Sequence, residues 1–321
     1  MFYNYDLEKI VRSSHVLRKV KEIVAFNKIV GMFRDSLKKA GRKGYSLEVG
    51  VKSLFLQFFY NLSDRQMEDA MKDNTAYKWF CGFGINETTP DHSYFGRIRK
   101  TLGAAKISMI FEEIKKQSKS NGIMREIFTF VDASTIVSKN TTWDERDKAI
   151  KEGEDKLNNK NIDKYSADKD ARFGCKGKDK FWYGYKRHAS VDMTSGLIKK
   201  VAVTPENVTD QAGLEHVCPD GGMVFADKQY CCKRAQIIMK SKGCHSGAIL
   251  KNNMKFKNKD KDKWLTKVRM PFEGTFSRLS KRTRYRGIAK VQMQAVLEAI
   301  VFNVKRLIVV TNSPPVVASG A

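Results

Sequence analysis

The chain has 321 residues, of which 41% are hydrophobic and 11% aromatic, so it is long enough to bury the core of one or two domains. Its 60 Lys and Arg against 35 Asp and Glu give a net charge of +25, far more than solubility requires. This charge makes an ordinary, merely basic soluble enzyme the minority interpretation and indicates a polyanionic partner. Nucleic acid is the commonest such partner, although an anionic membrane surface or the ribosome would also suit the charge.

Residues 1–125 have the apolar spacing of helices, as in Val16–Ala40 and Leu47–Leu62. Ser63 and Gln66 form a capping-box pattern that predicts a helix start. Thr89 and Pro90 predict another start, and Gly122 is placed to end the last helix. We therefore predict an all-helical N-terminal domain over residues 1–125, which suits a DNA-contacting module and equally any small helical bundle.

After residue 126 the pattern changes to strands, beginning with a buried strand over Ile127–Val131. Residues 139–180 are polar and predict an exposed insertion with a helical patch at its start. A hairpin around Gly196 follows, and then a short helix over Asp210–Val217.

The remaining elements complete an α/β layer with a mixed sheet, which we place at residues 126–310. They are a strand that ends at Asp227, a helix closed by Gly243, a strand over Ser246–Leu250 and a helix that runs to Val310. Residues 311–321 are predicted to form a flexible tail.

The flanking segments argue against a membrane or secreted protein. The N-terminal residues lack the pattern of a secretory signal, and the apolar stretch 296–310 is interrupted by charged residues. Six cysteines without C-x-x-C spacing give little support to a zinc site or a disulfide framework. We expect a cytoplasmic protein with reduced thiols.

Two acids end predicted strands: Asp132 follows IFTFV and Asp227 follows MVFA. If the two strands are neighbours in one sheet, both carboxylates emerge at corresponding ends. Two carboxylates in such close proximity repel each other, and a divalent cation between them removes the repulsion. Hard oxygen ligands select Mg²⁺ or Mn²⁺, and such clusters are typical of phosphoryl-transfer sites.

Glu273 is the best candidate for a third acid. The segment 255–290 contains thirteen Lys and Arg against three acids, and Glu273 lies between Phe272 and Phe276. Its alternative interpretation is a solvated surface partner of Arg269 or Arg278. The apolar neighbours favour a buried or half-buried carboxylate among cations that seek phosphate.

Several blocks together make the sequence recognisable: FVDAS, YGYKRHASVDMTSGLIKKVAVTPENVTD, FADKQY, RMPFEGTF and RYRGIAKVQMQAVLEAIVFNVKRL. In this order they resemble the DDE transposases of bacterial insertion sequences, in the branch numbered five and its family-four-like relatives. The N-terminal LSDRQMEDAMKDNTAYKWFCGF and TTPDHSYFGRIR are similar to the helical leading domain of that family. The resemblance covers most of the chain.

The resemblance implies an RNase H-like catalytic domain whose three metal-binding acids are Asp132, Asp227 and Glu273. It also implies that the enzyme uses two Mg²⁺ or Mn²⁺ ions to cut the ends of its insertion sequence and to join them to target DNA. Arg269 precedes Glu273 by one helical turn, as in the third motif of the family. On this hypothesis the phosphate contacts come from four cations: Arg269, Lys281, Arg284 and Arg286.

The partners on this hypothesis are terminal inverted repeats and target DNA, bound by a homodimer associated with the nucleoid. Gln229 stands where the family commonly has Gly, and Ser280 where it has Lys. The alternatives are a catalytically decayed copy that acts only as a DNA-binding repressor, and an RNase H-like nuclease. Trp182, Tyr183 and Tyr185 could stack on bases, but packing is the commoner role for alternating aromatics of a hairpin.

Overall fold

The structure is a computed structural model that describes residues 6–33, 44–125, 127–177, 180–254 and 257–312. The chain divides into two compact units, residues 1–117 with 303–321, and residues 118–302. The predicted tail lies, from residue 313 onward, outside the described residues, and the helix before it extends to Asn312. No helix among the described residues combines the length and the apolar content needed to cross a membrane.

The first unit is helical. Its helices are α1 (Leu7–Ile10), α2 (Val16–Ile23), α3 (Phe26–Gly31), α4 (Leu47–Phe59), α5 (Asp64–Asp73), α6 (Thr75–Cys81) and α7 (His92–Ser120), the last of which ends in the second unit. Phe26 packs edge-to-face against Phe55 and Phe80 in its core. Gly103 interrupts α7 with a non-helical backbone (φ 62°, ψ 177°).

Of two helix starts predicted from capping residues, one is present and the other is displaced. The capping box is present, because Ser63 Oγ accepts from the Gln66 amide at 3.3 Å and Gln66 Oε1 accepts from the Ser63 amide at 2.9 Å. The start at Thr89 is wrong: α7 begins at His92, and the carboxylate of Asp91 accepts from the Tyr94 amide at 2.9 Å. The helix predicted over Val16–Ala40 is also interrupted, between α2 and α3, and its part from residue 34 onward lies outside the described residues.

The second unit contains a six-stranded mixed sheet. Its strands are β1 (Phe128–Lys139), β2 (Arg172–Lys176), β3 (Lys180–Asp192), β4 (Ile198–Pro205), β5 (Gly222–Ala226) and β6 (Cys244–Ala248), and the order β2-β3-β1-β5-β6 leaves β4 paired with β3. β1 is antiparallel to β3 and parallel to β5, and β5 is parallel to β6. β2 and β4 pair with successive parts of β3.

Helices cover both faces of this sheet. They are α8 (Trp143–Lys151), α9 (Ile162–Tyr165), α10 (Asp210–Val217), α11 (Lys233–Ser241), α12 (Lys259–Ser277) and α13 (Ile288–Asn312). Val131 packs with α10 and α11 on one face, in a core that includes Leu214 and Met239. The neighbouring Phe130 points to the other face and packs against Phe276 of α12. This alternation is the two-residue period of a strand covered on both sides.

The polar segment 139–180 is more ordered than its composition predicts. It forms α8 and α9 and contributes β2 to the sheet, and Ile162 and Ala171 are fully buried. The buried Asp168 accepts hydrogen bonds from the Tyr185 hydroxyl at 2.6 Å, the Ser138 hydroxyl at 2.7 Å and the Gly287 amide at 3.0 Å. The helical patch predicted at the start of the segment is present as α8. The prediction of an exposed insertion is wrong, because these buried contacts tie the segment to the sheet and to the start of α13.

Candidate active site

Asp132 lies within a strand, not at its end as predicted. β1 continues to Lys139 because the long antiparallel β3 pairs with it, and Asp132 lies opposite Ala189. On the other edge of β1, the parallel pairing with β5 stops at Val131 and Ala226. Asp132 is therefore the first residue of β1 beyond the end of β5, where the edge of the strand opens.

Asp227 follows β5 directly, at the same level of the sheet as Asp132. Because Val131 pairs with Ala226, the next residue on each strand is an aspartate. Asp227 is the N-cap of a short 3-10 helix over Lys228–Tyr230, and its carboxylate accepts a hydrogen bond from the Lys228 amide. The register of β1 and β5 therefore places the two strand acids at corresponding positions, as predicted for neighbouring strands.

Arg269 of α12 connects the second and third acids. Its guanidinium lies 3.2 Å from Glu273 Oε1 and 4.0 Å from Asp227 Oδ1, and its Cζ lies 5.5 Å from the centre of the Phe130 ring. Arg269 itself is buried, at 7% exposure. Glu273 was predicted to be buried or half-buried, and 52% of its side chain is exposed. Phe272 and Phe276 pack on Phe130 and fix the helix against the sheet.

Burial and neighbouring charges act on the carboxyl of Asp132. Its pKa is raised to about 6, chiefly by burial and to a smaller extent by the negative charges of Asp210 and Asp227, against the opposing effect of the Ala133 amide and Arg269. A carboxyl held in this way is destabilised when ionised, and a nearby cation relieves the cost. Arg269 supplies part of that relief.

The donor chemistry of these acids fits a hard divalent cation, since carboxylate oxygens are the ligands that Mg²⁺ and Mn²⁺ prefer. In the part of the chain that the structure describes, however, no group of three or more His, Cys, Asp or Glu side chains is arranged to hold a metal ion. The Glu273 carboxylate is instead paired with the Arg269 guanidinium at 3.2 Å.

The predicted phosphate-binding cations lie in a segment whose backbone is held in place. The Val137 amide donates to the Lys281 carbonyl at 2.8 Å, and the Thr283 amide donates to the Val137 carbonyl at 3.0 Å. Gln294 of α13 accepts from the Arg284 amide at 2.7 Å and donates to the Arg282 carbonyl at 3.0 Å. We call residues 281–287 the basic loop.

The side chains of the basic loop differ in exposure. Lys281, Arg282 and Arg286 are exposed, and Arg284 is half-buried. Arg269 does not share this exposure, so its predicted phosphate contact stays a prediction, while its observed contacts are with the acids.

The three aromatic residues considered for base stacking separate into two environments. Tyr183 and Tyr185 are buried at 2% and 0% exposure, in the core with Ile136 and Val291, which is the packing role. Trp182 is half-buried and lines a cavity.

Sequence patterns alone missed Asp210, which acts on Asp132, and its ion-pair partner Lys186. Asp210, the first residue of α10, acts electrostatically on Asp132 and pairs with Lys186 of β3 at 2.8 Å. Both residues stand in the block that carries the family resemblance, but no spacing rule relates position 186 to position 210. Only the packing of α10 on β3 and β4 brings them together.

Comparison with known families agrees with this architecture. The family described as Transposase DDE domain matches residues 124–304, and the family described as Transposase domain (DUF772) matches residues 5–101. Among solved structures, the piggyBac transposase synaptic complex with hairpin DNA is similar with a TM-score of 0.39 and 9% sequence identity. That likeness covers 96% of this chain and 76% of the other.

The DDE family match spans more than half of the chain, and the mixed sheet with helices on both faces is the RNase H-like fold predicted from the resemblance. The helical N-terminal region is likewise confirmed. Assignment to the branch numbered five stays a prediction. The chain belongs to the DDE transposase family, whose members act on DNA with divalent metal ions, and it is a DNA transposase that cleaves and joins DNA strands.

Proposed function

We propose that Asp132, Asp227 and Glu273 are the catalytic acids of this transposase and that they hold two Mg²⁺ or Mn²⁺ ions. The observation that carries the proposal is the position of Arg269, which contacts Asp227 and Glu273 and acts electrostatically on Asp132. One guanidinium therefore interacts with all three acids, which are far apart along the chain.

When bound, the two ions supply Lewis-acid chemistry that activates an attacking hydroxyl and neutralises charge at the phosphate. The residues of the chain have separate tasks. Asp132 gives up its proton more readily once positive charge is nearby, because its raised pKa comes from burial and neighbouring carboxylates. Before the ions arrive, Arg269 pairs with Glu273 and lies 4.0 Å from Asp227.

We propose that DNA approaches along the basic loop. Lys281, Arg284 and Arg286 would contact backbone phosphates and release counterions on binding, so affinity falls with rising salt. The fixed backbone of the loop supports this role, because ordered cations lose less freedom when they bind.

We also propose that residues 1–125 form a DNA-binding domain and residues 126–310 the catalytic domain, and that two copies act on inverted repeats at the ends of the element, in the nucleoid. Two DNA ends must be cut and joined in one reaction, which favours a homodimer on DNA. Sedimentation of the protein with end-containing duplexes would distinguish two copies from one.

The test of the catalytic proposal is strand cleavage of labelled DNA that carries the sequences flanking the gene, with Mg²⁺ or without divalent ions. We expect cleavage only with the ion, and none by the variants Asp132→Asn, Asp227→Asn and Glu273→Gln. The matched control is Glu215→Gln, an exposed acid of α10, which should cleave normally. All variants should shift the DNA in a gel with nearly unchanged affinity.

Other outcomes would change the assignment. Full cleavage by Glu273→Gln would show that the third acid is misassigned. Wild-type protein that binds DNA but never cleaves it would favour a decayed copy that acts as a repressor. Cleavage without any preference for the flanking repeats would favour a general nuclease on the same fold.

A further inference from the structure

A cavity of about 330 Å³ lies between the start of α10 and the strands β1 and β3. Its polar lining includes Ser134 and Thr135 of β1, Glu206 directly after β4, and Asp210 of α10, and Trp182 of β3 is its aromatic wall. The three proposed catalytic acids do not line it. What this cavity binds is therefore a question separate from the catalytic assignment.

The Glu206 carboxyl is buried at this cavity and is only half satisfied. Glu206 is 3% exposed, and its Oε1 accepts from the Thr135 hydroxyl at 3.2 Å. Its Oε2 is buried and has no hydrogen-bond partner in the described structure, and the same holds for the nearby lining atom Ser134 Oγ. A buried carboxylate oxygen without a donor costs free energy, and a ligand that brings donors removes this cost.

The charges of the lining favour a cation as that ligand. Glu206 and Asp210 contribute two carboxyl groups, and Lys186 is the one cation among the described lining residues. Lys186 Nζ is already bound to Asp210 at 2.8 Å and to the Val208 carbonyl at 2.9 Å. The pKa of Glu206 is raised to about 7, chiefly by burial, so its ionised form is disfavoured in the cavity. A positively charged ligand stabilises that form.

An ammonium group fits this lining better than a metal ion does. Mg²⁺ takes a near-octahedral set of oxygen ligands, and in the described part of the chain no three His, Cys, Asp or Glu side chains are arranged to hold an ion. An ammonium needs acceptors at hydrogen-bond distance, which Glu206 Oε2 and Ser134 Oγ provide. Indole is the aromatic group that attracts cations most strongly, and Trp182 supplies it.

The size of the cavity suits an organic cation. A volume of about 330 Å³ is larger than an ammonium group requires and lies at the lower end of small-molecule sites. Ala133 and Cys175 add apolar lining, which suits the methylene groups of a short alkyl chain. The lining thus combines acceptors and an aromatic wall for a charged end with apolar surface for a chain.

We propose that this cavity, the ammonium site, binds the primary ammonium end of an alkylamine, with hydrogen bonds to Glu206 Oε2 and Ser134 Oγ and with the Trp182 indole against the positive charge. Two sources offer this chemistry: a free polyamine, and the side chain of a lysine from another molecule. A chain with a net charge of +25 repels free cations in general, so saturable binding of one requires a specific site.

The ammonium site can be tested with the full-length protein in metal-free buffer at pH 8. Its four tryptophans are replaced by 5-fluorotryptophan, and the ¹⁹F signal of Trp182 is assigned with the variant Trp182→Phe. The probes are 1,4-diaminobutane, n-butylamine and Nα-acetyl-lysine methylamide, with n-butanol as the neutral control of the same chain length. We expect the amines to shift the Trp182 signal saturably and butanol to leave it in place. The signal of Trp143, 66% exposed and outside the cavity, should not move.

Variants test whether Glu206 and Ser134 provide the contacts. Glu206→Gln keeps the size of the side chain but removes its charge, and it should weaken butylamine binding about tenfold or more, the loss typical of a hydrogen bond to a charged group. Ser134→Ala is a milder change that keeps the carboxyl and should weaken binding about fivefold. Glu215→Gln is the matched control, because Glu215 is an exposed acid of α10 that does not line the cavity.

Two results would overturn the ammonium site: no shift of the Trp182 signal with any amine, or an equal shift with butanol. Wild-type affinity in both Glu206→Gln and Ser134→Ala would overturn the assigned contacts. Tightest binding of diaminobutane would identify a free polyamine as the ligand, and tightest binding of the lysine derivative would identify a lysine side chain. These outcomes are distinct from failure of the proposed function, because they involve neither metal nor DNA.

Discussion

Val131 of β1 and Ala226 of β5 are paired in parallel register, and an aspartate follows each of them. Phe130 and Phe225, directly before the pair, are apolar and buried, whereas β1 alone continues beyond it. The change from a paired to an open strand edge therefore coincides with the change from apolar to acidic side chains. The pairing of β1 with β5 therefore brings Asp132 and Asp227 together, although the two residues are far apart in sequence.

We predict that Asp132→Asn stabilises the protein near neutral pH while it abolishes cleavage. The folded pKa of about 6 is raised above the ordinary 3.8, so the folded state binds its proton more tightly than the unfolded state does. Stability from this group is thus fully present below pH 3.8 and is lost as pH rises through about 6. At pH 8 the gain in unfolding free energy on substitution should be at most about 3 kcal/mol.

Urea unfolding of the metal-free protein at pH 8 and at acidic pH measures this gain, which should shrink as the pH falls. Asp144→Asn is the control, because 94% of the Asp144 side chain is exposed and its replacement should change stability little. Equal midpoints for Asp132→Asn and wild type at pH 8 would contradict the prediction.

We predict that Arg269→Gln raises the pKa of Asp132 above about 6, because the positive charge of Arg269 lowers that pKa in the wild type. Arg269→Lys keeps the positive charge and should raise the pKa of Asp132 less. It lacks the two-pronged guanidinium that reaches both Asp227 and Glu273. Carboxyl ¹³C titration by NMR in metal-free buffer reads the pKa directly. An unchanged Asp132 titration in Arg269→Gln would show that the guanidinium does not act on this carboxyl.

We predict that the buried ion pair of Arg187 and Glu298 is costly to break. Arg187 of β3 is 1% exposed and is hydrogen-bonded to Glu298 of α13. Arg187→Met leaves a buried carboxylate without its partner and should destabilise the protein by about 3–5 kcal/mol. The double variant with Glu298→Leu should recover part of this loss, because it removes the uncompensated charge.

The control for this pair is the exposed Lys242, which lies 3.3 Å from Asp220. Lys242→Met should cost no more than about 1 kcal/mol, as is usual for exposed pairs. Thermal or urea unfolding of the three variants makes the comparison. A loss in Arg187→Met no larger than in Lys242→Met would contradict the predicted cost.

We predict that Gln294→Leu weakens DNA binding without removing any charge. Gln294 is fully buried and holds the backbone of the basic loop at Arg282 and Arg284. Its loss should lower DNA affinity at each salt concentration and leave the salt dependence nearly unchanged. Arg286→Ala, by contrast, should reduce the slope of log affinity against log salt by about 0.9, as expected for one lost phosphate contact. Fluorescence anisotropy over a salt series separates the two behaviours.

Two structural features that depend only on residues close in sequence were predicted correctly. The capping box at Ser63 and the helix Asp210–Val217 are both present as predicted, because caps and short helices are determined over three or four positions. The strand predicted over Ser246–Leu250 is instead Cys244–Ala248, a shift of two residues that follows from its pairing with β5.

Features that depend on distant partners were not predictable in the same way. β2 has few apolar residues and becomes a strand because β3 is long enough to pair with it. Asp132 was expected at a strand end, but the same length of β3 carries β1 seven residues further. Glu273 was expected to be buried or half-buried, but 52% of its side chain is exposed, since Phe272 and Phe276 are the neighbours in α12 that pack against Phe130 of the sheet.

Gln229 shows how structure resolves a sequence departure. A glycine at this position in the family suggests a turn with positive φ, but Gln229 lies in the 3-10 helix after Asp227, and Asn61 is the one non-glycine residue with positive φ in the described chain. The larger side chain therefore imposes no backbone strain there.

Pro271 lies inside α12, two residues before Glu273. A proline has no amide hydrogen, so the carbonyl of Lys267 loses its helical partner and the helix is weakest at this turn. Asp132, by contrast, is in a strand paired with β3, and Asp227 caps a turn directly after β5. Two of the acids are thus anchored by the sheet, and the third is carried on a turn that bends more readily. Any adjustment between the arrival of metal and the departure of joined DNA should therefore appear first as faster amide exchange around Glu273.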